Sequence, residues 1–211
     1  RESSALLGEK NPLLKVFAQD FRELEEILHR VWESKSAGQA VLERVSGMGE
    51  VWSAQILNAY FQAQGKKSEW LDARQVLVVK HEAHRVVVDW KASQSKLDAW
   101  LKKQPLDLLT ITGFVAATDE GVATTLGRNG SDYSASIFGA LFDGDEVIIW
   151  TDVDGVLSAD PRVVPEAVIL NEMSYSEITE LAYFGAKVVH PATMAPAMSK
   201  QIPIWIKNSL R

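Results

Sequence analysis

Gly127 to Asp132 sets a glycine turn, one fixed positive charge, a hydroxyl and a carboxylate side by side. The segment belongs to Thr125-Leu-Gly-Arg-Asn-Gly-Ser-Asp-Tyr-Ser-Ala135, between an extended apolar stretch and one with helical spacing. Gly127 and Gly130 let the backbone approach a ligand and take positive φ. Arg128 can hold a carboxylate or phosphate through two parallel hydrogen bonds. Ser131 and Asp132 are expected to open a helix, with Ser131 as N-cap, where N–H groups and the dipole favour an anion. Asp132 is itself negative. It repels a bare phosphate and suits an ammonium group or a metal ion instead. Arg128 with Asp132 therefore suits a zwitterion, guanidinium on carboxylate and aspartate on ammonium. The plain alternative is a turn, a cap and a surface Arg–Asp pair, and the loop alone leaves both open.

Other residues extend the chemistry. Thr151-Asp-Val-Asp-Gly155 is a carboxylate-rich turn that can hold Mg²⁺ indirectly or bind ribose hydroxyls. It is no EF-hand, because the twelfth position from Asp152 is Val163 and the glycine comes too early. Asp160-Pro-Arg162 is a rigid turn that presents an arginine, and Gly185-Ala-Lys187 places a lysine just past a helix stop. Each alone is ordinary surface. Together, two glycine loops, two further cations and several carboxylates fit phosphoryl transfer, which needs positioning and charge neutralisation more than a protein nucleophile. His81-Glu-Ala-His84 lacks the four-residue spacing of a zinc helix and is expected to be solvated loop. No Gly-x-x-x-x-Gly-Lys-Ser/Thr loop and no serine-histidine-aspartate pattern occurs.

The elements that must position these groups alternate. Residues 13–32 carry apolar side chains at three- and four-residue steps, as do about 37–45 and 51–65, with Ser46-Gly-Met-Gly49 expected to break the pattern. Val76–Val79, Leu108–Ala117, Thr124–Leu126, Glu146–Thr151 and Ile202–Lys207 are strand-like, and the unbroken apolar run before Thr151 suits a parallel strand covered on both faces. Helices are expected over Lys91–Lys103, after Ser131, and after the capping box Ser174-Tyr-Ser-Glu177. This alternation predicts an α/β domain with helices on both sides of a mainly parallel sheet, whose ligands sit at the strands' carboxyl ends. The 211 residues, 46% apolar, suffice for one core and a single domain. The seven tryptophans are expected to pack in it. A net charge of -6 with no basic block argues against nucleic acid, and the absence of cysteine excludes disulfides and fits a reducing compartment. No apolar run approaches the ~20 residues of a membrane span.

These residues resemble the aspartate kinases of the amino-acid-kinase family. The resemblance rests on Leu126-Gly-Arg-Asn-Gly-Ser-Asp-Tyr-Ser-Ala135, Trp150-Thr-Asp-Val-Asp-Gly155, Ala159-Asp-Pro-Arg162, Tyr183-Phe-Gly-Ala-Lys-Val-Val-His-Pro191 and Gly49-Glu-Val-Trp-Ser-Ala54, and runs from about residue 46 to the end. The wording is most similar to kinase portions fused to homoserine dehydrogenase. The resemblance implies a three-layer αβα sandwich and ATP-dependent phosphorylation of the L-aspartate side-chain carboxylate, the first step toward lysine, threonine, methionine and isoleucine. It implies that Arg128, Ser131, Asp132, Glu50 and Phe114 bind aspartate. Thr151, Asp152, Arg162 and Lys187 match the nucleotide side, with Asp132 and Lys187 in catalytic roles. It further implies Mg²⁺ with no direct protein ligand, a homo-oligomer (dimer or larger), and a cytoplasmic or plastid location.

The sequence departs from the family in three places. Leu157 stands where a tyrosine is usual. The family's opening Lys-Phe-Gly-Gly-Thr-Ser loop and its C-terminal ACT domains do not occur. The chain begins at Arg1 and reads as an N-terminally incomplete kinase domain. Loss of the loop lysine, at on the order of 10²–10³ in rate for one preorganised donor, makes this polypeptide by itself nearly inactive by expectation. Two other readings stay open: a non-catalytic nucleotide-binding or dimerising module, and a kinase of the same fold for glutamate, carbamate or a nucleotide.

Overall fold

The computed structural model describes residues 7–8, 11–82, 85–102, 107–160, 162–183 and 191–210. It divides into two units, residues 1–127 and 128–211. In the first, helices α1 (Leu13–Ser34) and α2 (Gln39–Ala63) precede β1 (Ser68–Leu71), a short 3-10 turn (Ala73–Gln75), β2 (Val79–Glu82), β3 (Arg85–Val88), α3 (Trp90–Leu101), β4 (Leu108–Ile111), β5 (Val115–Ala117) and β6 (Ala123–Thr125). β1 and β4 are parallel, with Ser68 opposite Leu108 and Leu71 opposite Ile111. β2–β3 and β5–β6 are antiparallel hairpins.

The apolar stripe of α1 forms the expected helix. Phe17 and Phe21 lie against Trp52 of α2 with ring centroids 6.3 and 4.7 Å away, and the Trp52 indole N–H donates to Asp20 at 2.9 Å. Beyond this the expectation fails at Ser46-Gly-Met-Gly49, since α2 runs unbroken for 25 residues. Gly47 is buried, and a Cβ there would stand 2.8 Å from Val115 Cγ1. Glycine is present so that the helix can approach β5, not to end the helix. A Cβ on Gly49 would meet nothing within 4 Å.

Val76–Val79 is buried throughout, as its composition predicts, but only Val79 lies in a strand. A parallel bridge joins Val78 to Ala117. Buried Ser93 of α3 supplies further partners: its Oγ accepts from Val78 N at 2.9 Å and donates to Val78 O at 3.4 Å. Asp89 caps α3 by accepting from Ala92 N at 3.0 Å. The stretch 108–117, expected as one strand, is two. Phe114, at φ 68°, takes a left-handed conformation that interrupts the ladder. In the turn before β6, Gly121 stands at φ 80°.

The second unit holds α4 (Gly130–Leu141), β7 (Val147–Thr151), α5 (Tyr175–Tyr183), α6 (Pro191–Ser199) and β8 (Ile204–Asn208). β7 and β8 are parallel, Val147 opposite Ile204 and Thr151 opposite Asn208. Val147, Ile149, Ile204 and Ile206 share the face that packs into the apolar clusters around Met194 and Ala197. The other face is open: Trp150 is 62% and Trp205 49% exposed. The expected burial on both faces is thus corrected. So is the placement of the tryptophans in the core, because Trp32 and Trp90 are exposed as well. Their amphipathic rings leave the core to Val, Leu and Ala.

The capping box forms. Ser174 N and Oγ both donate to Glu177 Oε2 at 2.6 Å, and Glu177 N donates to Ser174 Oγ at 3.3 Å. The Ser174 hydroxyl first, then its backbone N–H, holds the Glu177 carboxyl below its ordinary value. A depressed folded value contributes stability that is present above the unfolded value and lost as pH falls through the folded one.

Two stability measurements follow. Gly47→Val should lower the urea unfolding midpoint, at a cost of about 1–3 kcal/mol from overpacking, while Gly49→Ala should raise the midpoint, adding about 0.5–1 kcal/mol of stability. Ser174→Ala should cost about 1 kcal/mol at neutral pH, and its difference from the parent should shrink as pH falls below the ordinary glutamate range.

Candidate functional site

Helix α4 starts one residue before the expected N-cap. Its cap is Asn129, left-handed at φ 59° and without a side-chain cap bond, and the first helical residue is Gly130. Ser131 is therefore the second residue of the helix, with its hydroxyl exposed rather than spent on capping. Gly127 (φ 74°) and Asn129 are both left-handed, the conformation glycine and asparagine tolerate best. The backbone turns sharply twice, and Arg128 stands exposed between the two turns.

Asp132 lies in the first turn of α4 and is half-buried. Burial pushes its carboxyl above the ordinary value. Among the described residues neither the Arg128 nor the Asp132 side chain has a hydrogen-bond or ion-pair partner, and they do not pair with each other. The N-terminal dipole of α4 offsets part of the cost of this half-buried carboxylate, and a ligand of opposite charge would offset more. The surface Arg–Asp pair of the plain alternative does not form among the described residues.

The turn after β7 is clamped by the end of β8. Thr151 O accepts from Ser209 N at 2.8 Å and from Ser209 Oγ at 2.9 Å, and Asn208 Nδ2 donates to Asp154 at 2.7 Å. Thr151 Oγ1 donates to Asp152 at 3.2 Å, and Asp152 is otherwise exposed. A five-residue link joins α4 to β7, and a Cβ on Gly139 would lie 2.6 Å from Val147 Cγ2. So α4 runs back along β7, and its first turn lies at the end where β7 finishes. The 128–132 loop and the 151–155 turn thus share the carboxyl end of the β7–β8 pair, where open α/β sheets take ligands.

Arg162 is folded back on its own turn. Its Nε and Nη2 donate to the two Asp160 oxygens at 3.0 and 2.6 Å, and its backbone N donates to Asp160 Oδ1 at 3.0 Å. Leu157 lies in a small antiparallel ribbon, bridged to Ile169, with Ser158 N bonded to Val168 O and Leu170 N to Val156 O. Lys187, with the 184–190 segment around it, lies outside the described residues.

Glu50 and Phe114 belong to the first unit. Glu50 is exposed on α2. On the same helix face, Glu43 Oε2 accepts from Thr124 Oγ1 at 2.7 Å and Gly47 meets Val115. Thr124 is opposite Ala116, Thr125 is opposite Val115, and Leu126 N donates to Phe114 O at 2.8 Å. The face of α2 therefore climbs the β5–β6 hairpin from Thr124 toward Phe114, and carries Glu50 with it.

Sequence reasoning missed Thr124 and Glu43, and placed His81 in solvated loop. His81 lies in β2, and its Nε2 is 3.0 Å from Thr124 Oγ1. The available signal was a polar β-branched pair, Thr124-Thr125, in a buried strand directly before a glycine loop. Among the described residues no group of three His, Asp or Glu could hold a metal ion, and no helix is long and apolar enough to cross a membrane.

These features define an α/β ligand-binding domain with charged glycine loops at the carboxyl ends of parallel strands. The model of the amino acid kinase family matches residues 8–208, and the chain belongs to that family. It is 45% identical to bifunctional aspartokinase/homoserine dehydrogenase 1, chloroplastic, of Zea mays over 190 residues, 90% of this chain and 21% of that protein. It is 38% identical to bifunctional aspartokinase/homoserine dehydrogenase 2 of Escherichia coli, covering 95% of this chain and 24% of that one. The chain thus spans about a fifth to a quarter of the length of these relatives. The structure of E. coli aspartokinase III in complex with aspartate and ADP (R-state) matches with TM-score 0.87 at 29% identity, over 97% of this chain and 45% of that one. The T-state structure with lysine and aspartate gives 0.72 at 31% identity, over 90% of this chain and 44% of that one. The fold is the α/β amino-acid-kinase fold.

Proposed function

We propose that the chain serves ATP-dependent phosphorylation of the L-aspartate side-chain carboxylate. The observation that carries this reading is the unpaired Arg128 and Asp132 at the opening of α4. A guanidinium and a half-buried carboxylate four positions apart, neither spent on a protein partner among the described residues, match the carboxylate and ammonium of an amino acid. The relatives' names, and the aspartate and ADP bound in the E. coli aspartokinase III structure, support the same reading.

In this assignment Arg128 holds the substrate's α-carboxylate, Asp132 its ammonium, and Ser131 donates its exposed hydroxyl. Glu50 and Phe114 complete the aspartate contacts by resemblance. Thr151 and Asp152 serve the nucleotide, and Arg162 and Lys187 the phosphates. A free carboxylate oxygen attacks the γ-phosphorus, the bond to the β,γ-bridging oxygen breaks, and the electron pair leaves with ADP. The protein contributes placement and positive charge. The exposed Asp152 and the hydroxyl of Thr151 fit nucleotide hydroxyls. Arg162, neutralised by Asp160 in this structure, fits phosphate only by exchanging partners. Mg²⁺ carried in with the nucleotide would supply charge neutralisation. The plant relatives are named chloroplastic, which supports a plastid location over a cytoplasmic one for a plant source.

Calorimetry on the chain should show binding of both L-aspartate and ATP–Mg²⁺. Nucleotide binding without aspartate binding would turn the reading to a nucleotide-binding module. In the enzyme that carries this chain, acyl phosphate trapped by hydroxylamine should depend on aspartate and ATP together, and acceptance of glutamate in preference would sink the substrate assignment. Arg128→Ala should weaken aspartate by on the order of 10²-fold, from loss of charge-assisted hydrogen bonds, with ATP affinity unchanged. Aspartate affinity should rise with pH as Asp132 ionises, through a titration displaced above the ordinary ~3.9. Asp132→Asn should flatten that rise.

A further inference from the structure

Thr124 is a buried threonine whose hydroxyl is fully used. It is 3% exposed. Its proton goes to Glu43 Oε2 at 2.7 Å, so its lone pair faces His81 Nε2 at 3.0 Å, which must then carry the ring proton. The Glu43 carboxylate is held on its other oxygen by Gln39 Nε2 at 2.8 Å. One hydroxyl thus joins three elements: β2 through His81, β6 through its own strand, and α2 through Glu43. Packing alone would be served as well by valine, which has the same shape and the same strand preference.

The tether lies on the line that leads to Glu50. Glu43 and Glu50 are seven positions apart, two helical turns and about 10 Å along the axis, on one face. Between them Gly47 sits on Val115. Along the hairpin the matching levels are Thr124 with Ala116, Thr125 with Val115, and Leu126 with Phe114. Gly47 removes the side chain that would otherwise key the helix to the strand, so close approach at that point constrains distance but not sliding or rotation. The Glu43–Thr124 bond supplies the missing constraint. A charge-assisted hydrogen bond between fixed partners is directional, which an apolar contact is not.

We propose that Thr124 is a positioning residue for aspartate binding: through Glu43 it sets the register of α2 on the β5–β6 hairpin and so holds Glu50 level with Phe114. This rests on the proposed aspartate reading for its functional consequence, while the tether itself does not.

The test is Thr124→Val, with Thr124→Ser as the conservative variant. Thr124→Val should weaken aspartate about tenfold, the loss of one charge-assisted bond's positioning, with ATP–Mg²⁺ affinity within twofold. Thr124→Ser should restore aspartate binding. Hydrogen exchange of the α2 amides between Gly47 and Ala54 should quicken in Thr124→Val and return in Thr124→Ser, with no ligand present. Unchanged α2 exchange in Thr124→Val overturns the tether. Faster exchange with aspartate affinity unchanged, or with both ligands weakened alike, overturns the positioning role. Failure of the parent chain to bind aspartate at all overturns the functional reading, and the exchange arm still decides the tether. A globally unfolded Thr124→Val is replaced by Glu43→Gln, which keeps a neutral acceptor and should show the same pattern at reduced size. No effect on α2 exchange or aspartate affinity there again overturns the proposal.

Discussion

Helices in this chain dock on strand valines at a distance that only glycine allows. Gly47 of α2 faces Val115 of β5, and Gly139 of α4 faces Val147 of β7, each with no room for a Cβ. Much of the surrounding geometry depends on these two approaches. The first brings the face of α2 against the β5–β6 hairpin, so that Glu43 reaches Thr124, with Glu50 two turns further along the same helix face. The second folds α4 back along β7, so that the Arg128–Asp132 loop opens at the strand's carboxyl end beside Thr151. Interiors are packed to crystal density and transmit small displacements, so a methyl group at either glycine would move side chains of the candidate site as well as cost stability.

Electrostatics in the second unit separate groups that are satisfied from groups that are waiting. Asp154 is engaged by Asn208, Glu177 by Ser174, and Arg162 by Asp160. Those charges stabilise turns and caps, at the modest values exposed pairs have. Asp132 differs, being half-buried, pushed toward neutrality by desolvation, and without a side-chain partner among the described residues. Strained electrostatics of this kind gather at binding sites because the ligand completes them. The proposed function takes an amino acid as the completing ligand, in keeping with the zwitterion that the charge pattern suggests.

The chain's fold is that of its family, and its departures from simple pattern reading cluster where the family's function would lie. Phe114 interrupts what composition presents as one strand. Asn129 caps α4 from a left-handed conformation instead of Ser131. In both places a non-glycine residue holds positive φ, which costs energy and persists only where the surroundings fix it. The β7–β8 pair is open on its Trp150 and Trp205 face, which an unbroken apolar run had suggested would be covered.

Much of this was legible in residue order alone. The stripe of α1, the capping box at Ser174, the strand before Thr151 and the Arg128–Asp132 loop all depend on neighbours within a few positions, and local chemistry specifies them. Glycine was the recurrent ambiguity. Gly47 and Gly49 read alike in sequence, and only the presence of Val115, 68 positions from Gly47, makes one a docking residue and the other replaceable. Likewise Thr124, Glu43 and His81 are ordinary strand, helix and loop letters until the fold brings them to hydrogen-bond distance across as many as 81 positions. Short-range order determined which elements form and which residues carry charge. Tertiary structure decided which charges are neutralised and which remain for a ligand, because desolvation and pairing depend on atoms that sequence spacing does not bring together.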